Sequence, residues 1–172
     1  MVKIIFSDID GTLINDALKV TPRTRQALCH AVDTGILFVP VSARMPEAIK
    51  PILKDFLPDV PMISYNGAVI TDLKEDKVIF EQTLTQEQIH ELYDYSLKSK
   101  THIITYVNGK IVSETDSEYI EIEKKITGLE HNKVLSFKAE VQSSAVKCIL
   151  LEEPSYLKEV EKDLKATMPH LS

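Results

Sequence analysis

The first residues whose types and spacing can do chemistry are Asp8 and Asp10, in Ser7-Asp8-Ile9-Asp10-Gly11-Thr12-Leu13, directly after the apolar run Val2-Lys3-Ile4-Ile5-Phe6. A carboxylate such as Asp8 can attack phosphorus and hold the phosphoryl group as an acyl phosphate. A hard divalent cation, Mg²⁺ before others, would bridge Asp8 and the phosphate and offset their repulsion. Asp10 can protonate the leaving oxygen and later take a proton from the attacking water. Gly11 lets the turn bring backbone N–H groups of the Gly11-Thr12 segment close to phosphoryl oxygens. Two further polar clusters follow apolar runs: Ser42-Ala43-Arg44, a hydroxyl and a planar fork of donors, and Asn66-Gly67.

Each cluster alone has a plainer reading. Asp8 and Asp10 can be turn-formers at a solvated strand end, Ser42 and Arg44 a cap and a surface ion pair, and Asn66-Gly67 a turn. An EF-hand calcium loop beginning at Asp8 fails, because it needs glycine at the sixth position and glutamate at the twelfth, where Leu13 and Lys19 stand. Joint placement favours the phosphoryl chemistry, since ligands of parallel α/β sheets bind beyond the carboxyl ends of the strands.

The elements that must position these clusters follow from periodicity and punctuation. Residues 3–8 are apolar without alternation, which predicts a strand buried on both faces. Thr21, Pro22 and Gly35 bracket a helix. Residues 36–43 read as a second strand in which Pro40 demands a bulge, 46–56 as a helix limited or kinked by Pro51, and 61–65 as a third strand. Strand–helix–strand–helix–strand is the rhythm of an α/β fold.

Beyond Asn66 the grammar changes. Residues 68–82 read as two strands around a polar turn at Asp72–Asp76. Thr85 and Gln88 predict a capping box for a helix whose apolar face holds Ile89, Leu92, Tyr93, Ser96 and Leu97. Asn108-Gly109 is a hairpin turn, and residues 117–128 are a helix ending at Gly128. Residues 133–140 and 145–152 read as strands, and Pro154 opens a last helix. The second half is thus expected to be α+β, an antiparallel sheet with helices on one face. The expected division is 1–81 and 82–172.

The chain has 172 residues, 44% of them hydrophobic, and a net charge of −6 without a basic stripe, so neither nucleic acid nor an anionic membrane is an expected partner. Cys29 and Cys148 lie far apart in apolar surroundings and read as buried free thiols, and no secretory or membrane-spanning segment is apparent; a cytoplasmic protein is expected. The five histidines lack metal spacing and read as surface or helix-face residues. The common nucleotide loops GxGxxG and GxxxxGK[ST] are missing.

Phe6-Ser7-Asp8-Ile9-Asp10-Gly11-Thr12-Leu13 resembles the first motif, DxDGT, of the haloacid dehalogenase superfamily. Val39-Pro40-Val41-Ser42-Ala43-Arg44 resembles its second motif, with Ser-Ala-Arg in place of Thr-Gly-Arg. Ile63-Ser64-Tyr65-Asn66-Gly67-Ala68 resembles the segment preceding the inserted cap in the Cof-type sugar-phosphate phosphatases. The resemblance implies a partial Rossmann-like core with a parallel sheet, followed by an α+β type II cap. It implies that Asp8 is nucleophile and metal ligand, and that Asp10 is the general acid/base and binds metal through its carbonyl. It places Gly11, Thr12, Ser42, Arg44 and Asn66 around the phosphate, Mg²⁺ as cofactor and a small phosphorylated metabolite, most simply a sugar phosphate, as substrate.

The superfamily's later lysine and its GDxxND loop have no counterpart here; Lys147 reads as a strand residue of an incomplete cap. The chain is therefore expected to be weakly active or inactive and to expose the edge of its first strand, which a homodimer would cover. Alternative readings are a phosphomannomutase-like phosphotransferase and a non-catalytic remnant.

Overall fold

The structure is a computed structural model that describes residues 2–171, and the chain divides into two units, Met1–Gln82 and Thr83–Ser172. The first unit contains β1 (Ile4–Asp8), α1 (Pro22–Asp33), β2 (Leu37–Val41), α2 (Pro46–Leu53), β3 (Pro61–Ser64), β4 (Val69–Asp72) and β5 (Lys77–Glu81). Helix α1 starts where its punctuation says: the Thr21 hydroxyl accepts the Thr24 N–H, satisfying an orphan donor, and Pro22 occupies the first turn. Helix α2 also opens on proline and carries Pro51 inside.

The five strands lie in the order β1-β2-β3-β4-β5, parallel through β3 and antiparallel beyond. Pro40 sits in unbroken register opposite Ser7, without the expected bulge. Leu37 donates to Lys3 on the β1 side and Ser42 to Ile63 on the β3 side, so the alternation turns Pro40 toward β3. The β2–β3 ladder begins only at Val41↔Ile63, so little is lost by the missing donor.

The reading of β1 as buried on both faces is corrected. It is an edge strand, and Ile4 and Phe6 are 46% and 61% exposed. Both helices lie over one face: Leu28 and Val32 of α1 and Ile49 and Leu53 of α2 share a core with Ile5, Phe38 and Met62. Ile4, Phe6 and Leu37 point to the other face.

The second unit contains α3 (Gln86–Ser99), β6 (His102–Val107), β7 (Lys110–Ser113), α4 (Glu118–Thr127), β8 (His131–Lys133), α5 (Phe137–Glu140), β9 (Cys148–Leu151) and α6 (Pro154–Thr167). The Thr85–Gln88 capping box forms in full. Asn108 and Gly109, with φ of 49° and 73°, make the β6–β7 turn in the left-handed region that this pair tolerates. On α3, Leu97 stays exposed and Tyr95 is buried instead, its hydroxyl donating toward Asp163 (2.9 Å) and the Val160 carbonyl (3.1 Å) of α6.

Two further expectations change. The sheet, ordered β8-β7-β6-β9, is mixed, because β7 and β8 run parallel. Its helices cover both faces. Ile89 and Leu92 of α3, Phe137 of α5 and Leu164 of α6 pack with Ile103 and Val112 on one side, while Ile120 of α4 packs with Ile104 and Ile111 on the other. Residues 133–140 are mostly not strand: β8 ends at Lys133, and Ser136 caps the short α5 by accepting the Ala139 N–H. Among the described residues no helix is long and apolar enough to cross a membrane.

Candidate active site

Register assembles the three polar clusters. Asp8 lies beside Val41, and Val41 beside Ile63, so the loops leaving β1, β2 and β3 emerge together at the carboxyl edge of the parallel strands. The loop after β1 is anchored by alternation. Ile9, Leu13 and Ile14 are buried in the core of the first unit, and the N–H groups of Thr12, Leu13 and Ile14 converge on the Ile9 carbonyl at 3.4, 3.0 and 3.0 Å. Asp8, Asp10, Gly11 and Thr12 are left exposed between these anchors. Gly11 takes φ +70°, which costs a glycine nothing. The Thr12 hydroxyl approaches an Asp8 carboxylate oxygen at 3.5 Å.

The loop after β2 is tied to both of its neighbours. Ser42 is buried, and its Oγ accepts the Arg44 N–H at 3.1 Å, which leaves its own proton free to donate. The Ser42 carbonyl accepts the Asn66 N–H at 3.0 Å, and the Arg44 carbonyl accepts the Tyr65 N–H at 3.1 Å. Across the site the Arg44 guanidinium grips Asp10 through Nε–H to Oδ2 (2.9 Å) and Nη2–H to Oδ1 (2.7 Å). These charge-assisted bonds hold the Asp10 carboxyl below its ordinary range and Arg44 above its own.

Tyr65 and Asn66 both adopt left-handed backbone, with φ of 51° and 57°. Asparagine tolerates this region, whereas a bulky aromatic residue there is strained. The hydrogen bonds to Arg44 and Ser42 over-determine the turn and hold that strain at the site. Burial, with Glu47 and Glu81 nearby, pushes the Tyr65 hydroxyl up.

The structure thus places Asp8, Asp10, Gly11, Thr12, Ser42, Arg44 and Asn66 around one edge. Sequence reasoning missed three participants. Ile9 gave no signal beyond its apolar type, Tyr65 none that marks strain, and the pairing of Arg44 with Asp10 none, because 34 positions separate them. Lys147 lies in the second unit, its ammonium over the Tyr106 ring. A cavity of about 580 Å³ in that unit is lined by Tyr95, Lys98, Tyr156, Glu159 and Asp163 among others, and by none of the strand-end residues. Of the histidines, His131 departs from expectation: it is on β8 with its ring buried, Nε2 lying 2.7 Å from Ser113 Oγ. Among the described residues no cluster of three or more His, Cys, Asp or Glu forms a metal site.

Strands β1, β2 and β3 are parallel and carry paired acids, a buried hydroxyl and an arginine at their carboxyl edge, the side on which α/β sheets bind ligands. The chain belongs to the haloacid dehalogenase-like hydrolase family, whose model matches residues 5–172. It is similar to a protein of Haemophilus influenzae (26% identity over 174 residues, all of this chain and 65% of that one). It is also similar to the 5-amino-6-(5-phospho-D-ribitylamino)uracil phosphatase of Bacillus subtilis (32% over 116 residues, 67% of this chain and 40% of that one). Among solved structures it resembles a haloacid dehalogenase-like hydrolase from Bacteroides thetaiotaomicron, with TM-score 0.82 and 25% identity over 96% of this chain and 64% of that chain. The chain therefore spans about two thirds or less of the length of these relatives.

Proposed function

We propose that this chain carries the nucleophile and the acid/base of a Mg²⁺-dependent phosphatase acting on small phosphorylated metabolites, sugar phosphates first. The observation that carries the reading is the convergence of Asp8, Asp10 and Ser42 at one edge of the parallel strands. The relative that cleaves a phosphorylated ribityl compound supports the substrate class.

In this reading an Asp8 carboxylate oxygen attacks phosphorus. The P–O bond to the substrate alcohol breaks, the departing oxygen takes its proton from the small protonated fraction of Asp10, which Arg44 holds mostly ionised, and an aspartyl phosphate remains. Asp10 then takes a proton from water as the water attacks phosphorus, which releases inorganic phosphate and regenerates Asp8. The Ser42 proton and the N–H groups of the Gly11–Thr12 turn hold the non-reacting phosphoryl oxygens. Asn66 fixes the mouth of the site through its bond to the Ser42 carbonyl.

The donor chemistry fits Mg²⁺: Asp8 offers a carboxylate and Asp10, whose side chain is taken up by Arg44, offers its carbonyl, both hard oxygens. The ion would supply charge neutralisation between Asp8 and the phosphate. The reading keeps the protein in the cytoplasm, where such metabolites are found. It also keeps a homodimer that covers the unpaired β1 edge; elution as a dimer on size exclusion supports that, and a well-folded monomer contradicts it.

The test is phosphate release from a panel of sugar and nucleotide phosphates with and without Mg²⁺. Slow, Mg²⁺-dependent release that disappears in Asp8→Asn supports the reading. Release that is indifferent to Asp8→Asn refutes it; no release from any substrate is the inactive outcome expected from the missing later motifs and favours the non-catalytic remnant for this chain.

A further inference from the structure

The bidentate contact between Arg44 and Asp10 carries more than an ion pair. We propose that Arg44 is a positioning residue for Asp10, fixing the plane of its carboxylate at the strand-end site, and that it is not a ligand of the phosphoryl group. This rests on the phosphoryl-transfer reading above and replaces the phosphate-binding role expected for Arg44 from the sequence.

Three observations support it. The donor edge of the guanidinium that would grip a phosphate, Nε–H with Nη2–H, is occupied by both oxygens of Asp10 at 2.9 and 2.7 Å. The root of Arg44 is fixed at both ends, its N–H on Ser42 Oγ and its carbonyl on the Tyr65 N–H, and the buried Met45 follows it. Asp10 stands on an exposed turn with its side chain 54% accessible, and among the described residues Arg44 is its only side-chain partner. Without the fork, Asp10 would sample its rotamers freely; with it, one plane is selected. Lysine cannot reproduce that selection, because an ammonium is a point charge without a planar fork.

The tests use the chain as it stands and have two arms. The first needs no turnover. Arg44 is one of three arginines, so its Nε–H resonance is readily assigned by nitrogen-15 NMR. The inference expects that resonance to be displaced by Asp10→Asn and to stay in place when inorganic phosphate is titrated in with Mg²⁺. A signal indifferent to Asp10→Asn, or one that moves saturably with phosphate, overturns it.

The second arm is kinetic. Misplacing a catalytic group costs on the order of 100-fold. Arg44→Ala should therefore lower kcat by about that factor with KM within about threefold, and Arg44→Lys should not restore it. In an Asp10→Asn background, Arg44→Ala should cost less than about threefold more, because the two residues act as one unit. A raised KM, recovery in Arg44→Lys, or multiplicative effects in the double variant would make Arg44 a phosphate ligand. If the wild-type chain releases no phosphate, that test favours the non-catalytic remnant, while the NMR arm still decides the role of Arg44.

Discussion

Strands β1 and β6 are written alike, with Ile4-Ile5-Phe6 in one and Ile103-Ile104 in the other. Strand β6 is paired on both sides, by β7 and β9, and lies between α3 on one face and α4 on the other, so that both isoleucines are buried. Among the described residues strand β1 is paired only with β2 and covered only on the Ile5 side. A run without alternation states that a strand can be covered twice; whether it is depends on neighbours that the run does not encode. The same contrast separates the working parts of the molecule. The loops proposed to react leave the half-covered sheet, and the sheet covered on both faces carries none of the acids proposed to react.

The sharpest way to break this comparison is to truncate matching isoleucines. Ile104→Ala should cost about 2–5 kcal/mol in urea unfolding, through lost burial and the cavity left behind. Ile4→Ala should cost less than about 1 kcal/mol, as expected for a partly exposed position. Equal costs would mean that the second face of β1 is covered in solution. Next in size is Tyr95→Phe, which removes the hydroxyl that Asp163 and the Val160 carbonyl share and should cost about 1–2 kcal/mol.

That substitution has a pH signature. Burial first, and then the Asp163 bond, push the Tyr95 hydroxyl up to about 12 from 10.0. The stability it contributes is fully present below pH 10 and is lost as the pH rises toward 12, because the unfolded chain ionises first. The gap between wild type and Tyr95→Phe in urea melts should therefore narrow between pH 9 and 11.5.

Smaller effects test the two units separately. Thr85→Ala removes half of the α3 capping box and should cost about 1 kcal/mol in the second unit. Thr71→Val should do the opposite in the first. Thr71 is buried on the same face as Met62, and its hydroxyl has no partner among the described residues. An apolar isostere there should raise stability by about 1 kcal/mol, seen as a higher urea midpoint.

What the sequence disclosed was local. Thr21 with Pro22, Thr85 with Gln88, and Asn108 with Gly109 place helix starts and a hairpin because each acts within a few residues. Asp8 and Asp10 were visible because two acids closing an apolar run need a reason. Short elements were harder: Val134, Leu135 and Phe137 carry strand-like side chains, and only Ser136 signals the cap of α5. On α3, helical spacing admits either Leu97 or Tyr95 at the buried margin, and the choice is made by Asp163, far along the chain. The Asp10–Arg44 contact and the strained Tyr65 turn depend on the register of β1, β2 and β3, which no local pattern carries.

The central claim is that Asp8 takes the phosphoryl group. It is tested most directly by incubating the chain with Mg²⁺ and a radiolabelled small phosphomonoester, quenching in acid and mapping the label by peptide. The account predicts label on the peptide holding Asp8, sensitive to hydroxylamine as an acyl phosphate is, missing from Asp8→Asn, and accumulating in Asp10→Asn when the leaving group is acidic enough to depart without a proton. Label on another residue, or phosphate release with no label on Asp8 in either protein, would contradict it.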